Sequence, residues 1–458
     1  RGVIDKLPYL KDLGITALWL NPWYDNNDGL NHIETYDGQP MADYHGYGAV
    51  DFYAVDEHLG DLDTLRELVD AAHAAGIKIV QDQVANHSGP YHPWVEDTPT
   101  PTWYYGTKDD HLANTWQTWT LQDPYATPPM QKATLEGWFL DILPDLNQDD
   151  PEVARYIIQN SLWWVGVTGL DGIRQDTLPY VHRRFWREWM AALEREYPDL
   201  KVVGELFDGD PALVSFFQGG ATRFDGIDSG IDTEFDFPLF FKIRDAFAGE
   251  GTLLEAAKLV ARDHLYPDPS VLVTFLGLHD VARFMNEPAA STASLRAAYT
   301  LLTTVRGSPL VYYGDEIAMP GGGDPDNRRD VPGGWPDDPR NAFEASGRTA
   351  AEEEVFSHLR RLLHLRRDSQ PLRRGRMVTL AADEESWVYA RALGGKVAVV
   401  ALNADAAPVT IQAPVGPVGL ADGVVLEDRL GSGVDLVIED GRLQVTLPPL
   451  SSAVFTAP

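Results

Sequence analysis

The chain has 458 residues, which at about 100–200 residues per domain points to two or three domains, and its 44% hydrophobic and 23% charged content is that of an ordinary globular protein. Lys and Arg number 37 against 69 Asp and Glu, and the formal charge of −32 opposes partnership with nucleic acid phosphate or an anionic membrane. The absence of cysteine excludes disulfides, thiolate metal sites and a cysteine nucleophile while leaving the compartment open, and no run approaches the roughly 18 apolar residues of a membrane span.

Short apolar runs rich in β-branched residues alternate with longer amphipathic stretches, the pattern of βα units around a parallel sheet. A helix is expected over 3–13 and a buried strand over 15–20, ending at Asn21-Pro22. Leu62, Leu65, Val69 and Ala72 share a face of the next helix, with Asp63 as its N-cap and Gly76 as its stop, and residues 77–80 form the strand that follows. Residues 88–146, rich in Pro, Trp, Tyr and His and without periodicity, read as a long insertion. The alternation resumes with helices near 151–165, 183–195, 210–218 and 238–247 and strands at 171–175, 201–205 and 222–226. Strands near 271–276 and 309–313 flank a helix near 292–304, and a Leu-rich helix covers about 353–367. The seven Arg between 360 and 376 read as a solvated face. Beyond 376, period-two segments such as 386–391, 396–401 and 443–447 mark an all-β domain.

The expected fold class is α/β: a (β/α)8 TIM barrel over 1–87 and 147–375, a small inserted domain at 88–146 after the third strand, and a C-terminal antiparallel β-sandwich at 376–458. Seven strands precede the terminal domain where a barrel needs eight, so the first barrel strand is expected to be absent from this chain or supplied in a way the sequence does not show. Any secretion signal would be hidden with it.

In a parallel barrel the site gathers at the carboxyl ends of the strands. Four such ends carry polar clusters: Asp82 to His87, Arg174-Gln175-Asp176, Glu205, and His279-Asp280. Three carboxylates, an Arg and two His converging on one mouth force like charges together, an arrangement that chemistry uses. Cleavage of a glycosidic bond needs two carboxyl groups, one to protonate the leaving oxygen and one to attack or to activate water. Arg174, two residues before Asp176 on the same strand face, would hold Asp176 ionised as a nucleophile, leaving Glu205 on the next strand as proton donor.

The strings Asp82-Gln-Val-Ala-Asn86-His87, Gly172-Ile-Arg174-Gln-Asp176, Gly204-Glu205 and His279-Asp280 resemble, in order and spacing, the four conserved regions of the α-amylase family of retaining α-glycoside hydrolases. Tyr44-His-Gly-Tyr47 looks like the family's sugar-stacking motif, 143–147 (Leu-Pro-Asp-Leu-Asn) like its insertion-domain signature, and Tyr313-Gly-Asp-Glu316 with 324–328 (Asp-Pro-Asp-Asn-Arg) like its eighth-strand region. The resemblance implies Asp176 as nucleophile, Glu205 as general acid and base, and Asp280 as transition-state stabiliser. It also implies that His87, His279, Asp324 and Arg328 contact the sugar, that Arg174 and Asp82 orient the nucleophile, and that Tyr47 is a stacking platform. No cofactor is required. Calcium is left open, with Asn86 as one ligand, because Thr177-Leu-Pro-Tyr180 stands where calcium-binding relatives show a Lys-His pair. The 25–29 string (Asp-Asn-Asn-Asp-Gly) resembles the start of a calcium loop without its closing Glu, and Leu278 replaces an Asn common in relatives. The implied partner is an α-glucan or maltooligosaccharide, with neopullulanase- and cyclomaltodextrinase-like relatives extending this to pullulan or cyclodextrins. A glucanotransferase of the same family is the alternative, and a silent binding member would be expected to lack one of the three carboxylates.

Overall fold

In the computed structural model, which describes residues 1–431 and 435–457, the chain divides into two compact units: residues 1–11 with 15–235, and residues 12–14 with 236–458. In the first unit β1 (Ala17–Leu20), β2 (Lys78–Gln83), β3 (Gly172–Gln175), β4 (Lys201–Gly204) and β5 (Thr233–Glu234) pair in that order, every pairing parallel. The crossovers contain α2 (Leu62–Ala75), α3 (Pro151–Thr168), α4 (Arg183–Glu196) and α5 (Pro211–Phe217), while α1 (Gly2–Leu13) precedes β1. Each helix forms because one stripe is apolar: α2 buries Leu65, Leu68, Val69 and Ala72, and α4 buries Phe185, Trp186, Trp189, Met190 and Leu193. The large indoles of α4 keep their donors satisfied, Trp186 Nε1 donating to the Leu178 carbonyl (2.9 Å) and Trp189 Nε1 to Ser161 Oγ (2.8 Å).

Four details differ from the sequence expectation. The N-cap of α2 is Asp61, whose carboxylate accepts from the Thr64 N–H at 2.7 Å, because Leu62 is already helical and Asp63 lies in the first turn. A β-hairpin at Leu30–Tyr36 and Gln39–Ala42 occupies the connection after β1, where no strand was expected. The strand expected at 222–226 is instead a turn: Phe224 and Gly226 both take φ of 73°, Phe224 faces solvent, and β5 follows at 233–234. The insertion, which falls within the first unit, contains a helix at Pro128–Leu135 and a two-residue parallel pairing of Leu112–Ala113 with Gly137–Trp138.

In the second unit β6 (Val273–Phe275) and β7 (Ser308–Leu310) are parallel neighbours. Its helices include α6 (Phe237–Ala248), α7 (Leu253–Val260), which had no expected counterpart, α8 (Thr292–Thr304) and α9 (Ala350–Asp368), the last followed by a short helix at Gln370–Arg374. From Arg376 onward every strand pairing is antiparallel. A six-stranded sheet beginning with Arg376–Ala382, Ser386–Leu393 and Lys396–Asn403, and a pair formed by Val409–Pro414 and Arg442–Leu447, share one core. Val388, Val399 and Ala401 meet Ile411, Leu443 and Val445 in it. Residues 432–434 and 458 of the domain expected over 376–458 lie outside the described residues. No helix among the described residues is long and apolar enough to cross a membrane.

Of the seven Arg between 360 and 376, six face solvent as expected, but Arg366 is buried. Its NH1 donates to the Thr303 and Leu372 carbonyls, both at 2.9 Å, while the buried Arg391 donates NH1 to the Thr304 carbonyl (2.8 Å) and Nε to Gly375 (3.1 Å). Two guanidinium groups thus finish the C-terminus of α8, where carbonyls lack helical donors and the macrodipole favours cations. Burial holds each group down to about 10. Replacing Arg391 with Met should leave those carbonyls unpaired and cost about 3 kcal/mol, seen as an earlier urea midpoint for the second unit's unfolding.

Candidate active site

Sheet register builds the first cluster. Asp82 is the Cα partner of Arg174 across β2 and β3, and the ladder continues past the strand ends as the Asp176 N–H donates to the Gln83 carbonyl and the Glu205 N–H to Gln175, both at 2.9 Å. Asp82 lies inside β2 rather than after it, since that strand runs on to Gln83. The Arg174 side chain is 1% exposed and reaches three carboxylates: NH1 lies 2.9 Å from Asp82 Oδ1 and 2.7 Å from Asp176 Oδ1, and NH2 lies 2.9 Å from Glu205 Oε1. Those carboxylates outweigh burial and drive the guanidinium further toward its charged form. Asp82 also accepts from the Tyr47 hydroxyl (2.7 Å) and from Trp19 Nε1 (2.9 Å). Burial pushes its carboxyl up to about 7 with help from the Asp176 charge, against the pull of Arg174. Tyr47 itself is half-buried, its ring stacked with His45 at 5.9 Å.

Thr177, directly after Asp176, has φ 50° and ψ 35°, a left-handed conformation that costs a β-branched residue about 1–3 kcal/mol. In return its N–H donates to Glu205 Oε2 at 3.1 Å, so both Glu205 oxygens have a partner on β3 or its extension. Gly204 is needed beside it because a Cβ there would come within 2.4 Å of Leu178 Cδ2. Thr177, Trp19 and Gly204 were not singled out as site residues by sequence. The one signal was the departure from the Lys-His pattern at 177–180.

His87 is buried beside these carboxylates, its ring stacked on Phe139 at 5.5 Å. Burial lowers its pKa against the pull of Asp176, so its ring is held neutral. Phe139 meets Tyr180 (5.4 Å) and Trp116 (4.4 Å), which extend an aromatic surface beyond it. A β-bridge joins His87 to Asp145. Both Asp145 carboxylate oxygens and Asn86 Oδ1 are buried without a hydrogen-bond partner among the described residues. Burial, then Glu136, raises the Asp145 pKa well above the usual range. Orphaned oxygens of this type are the donor set that a hard cation such as calcium takes. Asp145 was not among the expected ligands, although it lies in the 143–147 string. Asn26 and Asn27 of the 25–29 string are engaged in main-chain hydrogen bonds to Tyr24 and Gly29. Glu34, Asp43 and His45 bring ligand atoms within 4.8 Å of one another, but His45 Nδ1 accepts from the Tyr47 N–H (3.0 Å), which places the ring proton on Nε2 and leaves that nitrogen no lone pair for a metal.

The second unit gathers the remaining expected residues. His279 Nε2 lies 3.1 Å from Asp280 Oδ2, and Arg328 NH2 lies 3.2 Å from Asp324 and 3.6 Å from Asp280 Oδ1. Asn327, part of the 324–328 string but given no role by sequence, is fully buried and ties the turn together through Nδ2 bonds to the His279 (2.6 Å) and Val281 (2.9 Å) carbonyls. Arg283 donates to the Asn327 carbonyl and to Asp315, whose carboxyl burial pushes up to about 6 against that cation.

The model of the alpha amylase catalytic domain family matches residues 1–330. The chain is 29% identical to the Beta/alpha-amylase of Paenibacillus polymyxa over 470 residues, covering all of this chain but 34% of that protein. It is also 29% identical to a cyclomaltodextrinase of Geobacillus thermopakistaniensis, over 99% of this chain and 69% of the relative. The crystal structure of an Anoxybacillus alpha-amylase superposes with a TM-score of 0.82 at 29% identity, covering 100% of this chain and 90% of that one. The chain thus spans about a third of the first of these relatives and about two thirds of the second.

Because the Asp82 carboxyl sits at about 7 in the fold against 3.8 outside it, its contribution to stability is fully present below about pH 4 and is lost as pH rises through 7. Asp82→Asn should therefore flatten the fall in urea midpoint between pH 5 and pH 8, whatever its effect on the midpoint itself.

Proposed function

The chain belongs to the alpha-amylase family, whose fold is a TIM-barrel catalytic domain with a C-terminal β-sheet domain, and from that premise we propose that it hydrolyses α-1,4-glucosidic bonds in starch-type oligo- or polysaccharides with retention of configuration. The observation that carries the reading is the buried Arg174 holding Asp176 with one nitrogen and Glu205 with the other. Asp176, held in place by that cation, attacks the anomeric carbon and forms a glycosyl ester. Glu205 protonates the leaving oxygen and then takes a proton from the incoming water. Asp280, His279, Asp324 and Arg328 would bind sugar hydroxyls as the ring flattens, and His87, neutral through burial, can donate to or accept from a hydroxyl. Tyr47, whose hydroxyl reaches Asp82, would offer its ring to a sugar face. A neutral substrate suits a chain of charge −32. The cyclomaltodextrinase relative supports small or cyclic glucans as well as starch.

No organic cofactor enters this scheme. Calcium would be held by the Asp145 carboxylate and the Asn86 amide oxygen, tying the returning end of the insertion to the segment after β2. There it would act on stability rather than chemistry.

Asp176→Asn and Glu205→Gln should each lower turnover of maltoheptaose by about 10³-fold or more, because each removes a role that no neighbour can assume. Both should keep the wild-type circular dichroism spectrum. Proton NMR of the first product should show the α anomer. Wild-type rates from either variant would overturn the assignment, and products longer than maltoheptaose would make the reaction a glucanotransfer. Millimolar calcium should raise the melting temperature of the wild type by several degrees and leave Asp145→Ala unmoved.

A further inference from the structure

The first unit has a second concave surface, of about 390 Å³, none of whose lining residues belongs to the cluster around Arg174. It lies among the 3-10 turn of the insertion (Thr118–Leu121), the start of α4, and α5 with the loop that follows it. Arg183 organises it. The guanidinium lies 3.9 Å from the centre of the Phe216 ring, NH1 holds both Asp225 oxygens (2.6 and 2.7 Å), and NH2 holds the Ala221 and Ile227 carbonyls (2.7 and 2.8 Å). That clamp fixes the 221–227 turn and presents Phe224 to solvent, 63% exposed at a φ of 73° that an aromatic residue rarely adopts. The exposed ring stands edge-on to Phe216 at 5.8 Å.

The polar side chains here are incompletely satisfied. Arg183 is 6% exposed, yet among the described residues its Nε–H has no hydrogen-bond partner, and neither has Gln122 Nε2 or His182 Nε2. Buried polar atoms without partners are rare in folded proteins, and each calls for a water or another bound group. We propose that this groove is a second binding site for a neutral α-glucan chain, distinct from the cleavage site. Phe224 covers the C–H face of a glucose ring, Gln122 donates to one of its hydroxyl oxygens, and Asp225 accepts from a hydroxyl, while Arg183 and the buried Phe216 hold Phe224 and Asp225 in place. The Arg183 charge is already balanced by Asp225, so the groove does not call for an anion.

The inference rests on the α-glucan reading above, and two substrates separate the two. Retardation in native gels containing amylopectin, measured in the Asp176→Asn background so that the polymer persists, reports binding of the long chain. Hydrolysis of p-nitrophenyl α-maltoside by the otherwise wild-type chain reports the cleavage site alone. Phe224→Ala, and Phe224→Gly, which suits the left-handed backbone better, should weaken retardation at least five-fold. Each should keep kcat/KM on the maltoside within two-fold. Unchanged retardation with both variants would overturn the second site while leaving the α-glucan reading intact, as would a loss on the maltoside equal to the loss in retardation. A wild-type chain inert toward the maltoside and unretarded by amylopectin would overturn both.

Discussion

One guanidinium, shut away from water, faces three carboxylates, and the upper edge of the first unit's sheet is arranged around it. Arg174 has rings of Trp19 and Tyr47 at 5.0 and 5.8 Å and no bulk solvent to screen it. Burying such a charge costs several kcal/mol unless acceptors surround it. The acceptors here come from three different strands or their ends, so the parallel register of β2, β3 and β4 and the charge of the cluster fix each other. A lysine could not take this place, because a point charge on a flexible stem lacks the planar fork that divides one cation among Asp82, Asp176 and Glu205. Three carboxylates against one Arg leave the cluster net negative, and the extra donors from Trp19, Tyr47 and the strained Thr177 backbone make that tolerable.

The acidic groups of the two units live in different surroundings. Asp176 and Glu205 have side chains about one-tenth exposed and are held at hydrogen-bond distance by Arg174. The Asp280 side chain is 35% exposed, with His279 Nε2 at 3.1 Å and Arg328, which also reaches Asp324, at 3.6 Å. In the proposed reaction, tight fixation would suit the groups that make and break bonds, whereas a more exposed carboxylate would suit one that adjusts to hydroxyls as a ring changes shape.

Much of this was legible in the sequence because burial and chemistry leave opposite marks on one segment. An apolar run such as Val202-Val203 followed by Glu205 reads as a strand that ends at a polar rim, and the structure has Lys201–Gly204 there. The helix expected near 292–304 is likewise present as α8, Thr292–Thr304. What escaped depends on contacts between distant residues. The 222–226 segment was expected as a strand because it falls where the alternation calls for one, but Arg183, some forty residues earlier, holds it as a turn, for which Asp225-Gly226 was the local signal. Asp145 looks like any loop aspartate until its oxygens prove to be buried without partners. Arg366 shares its sequence neighbourhood with six exposed arginines and differs from them through carbonyls 59–63 residues away. The left-handed turn at Thr177 has no conformational signal in its residue type, and only the departure at 177–180 pointed to it.

The two arginines that finish α8 have a consequence for how the chain is made. Arg391 reaches back 87 residues to the Thr304 carbonyl, and Arg366 reaches back 63 to Thr303. While the polypeptide emerges from the ribosome, α8 can wind as soon as its own residues are free, but its last turn stays unsealed until the first two strands of the terminal domain have followed. The terminal β-domain is therefore the closing step in the assembly of the α/β region before it, and a nascent chain stalled short of residue 391 would expose an open helix end to chaperones or proteases.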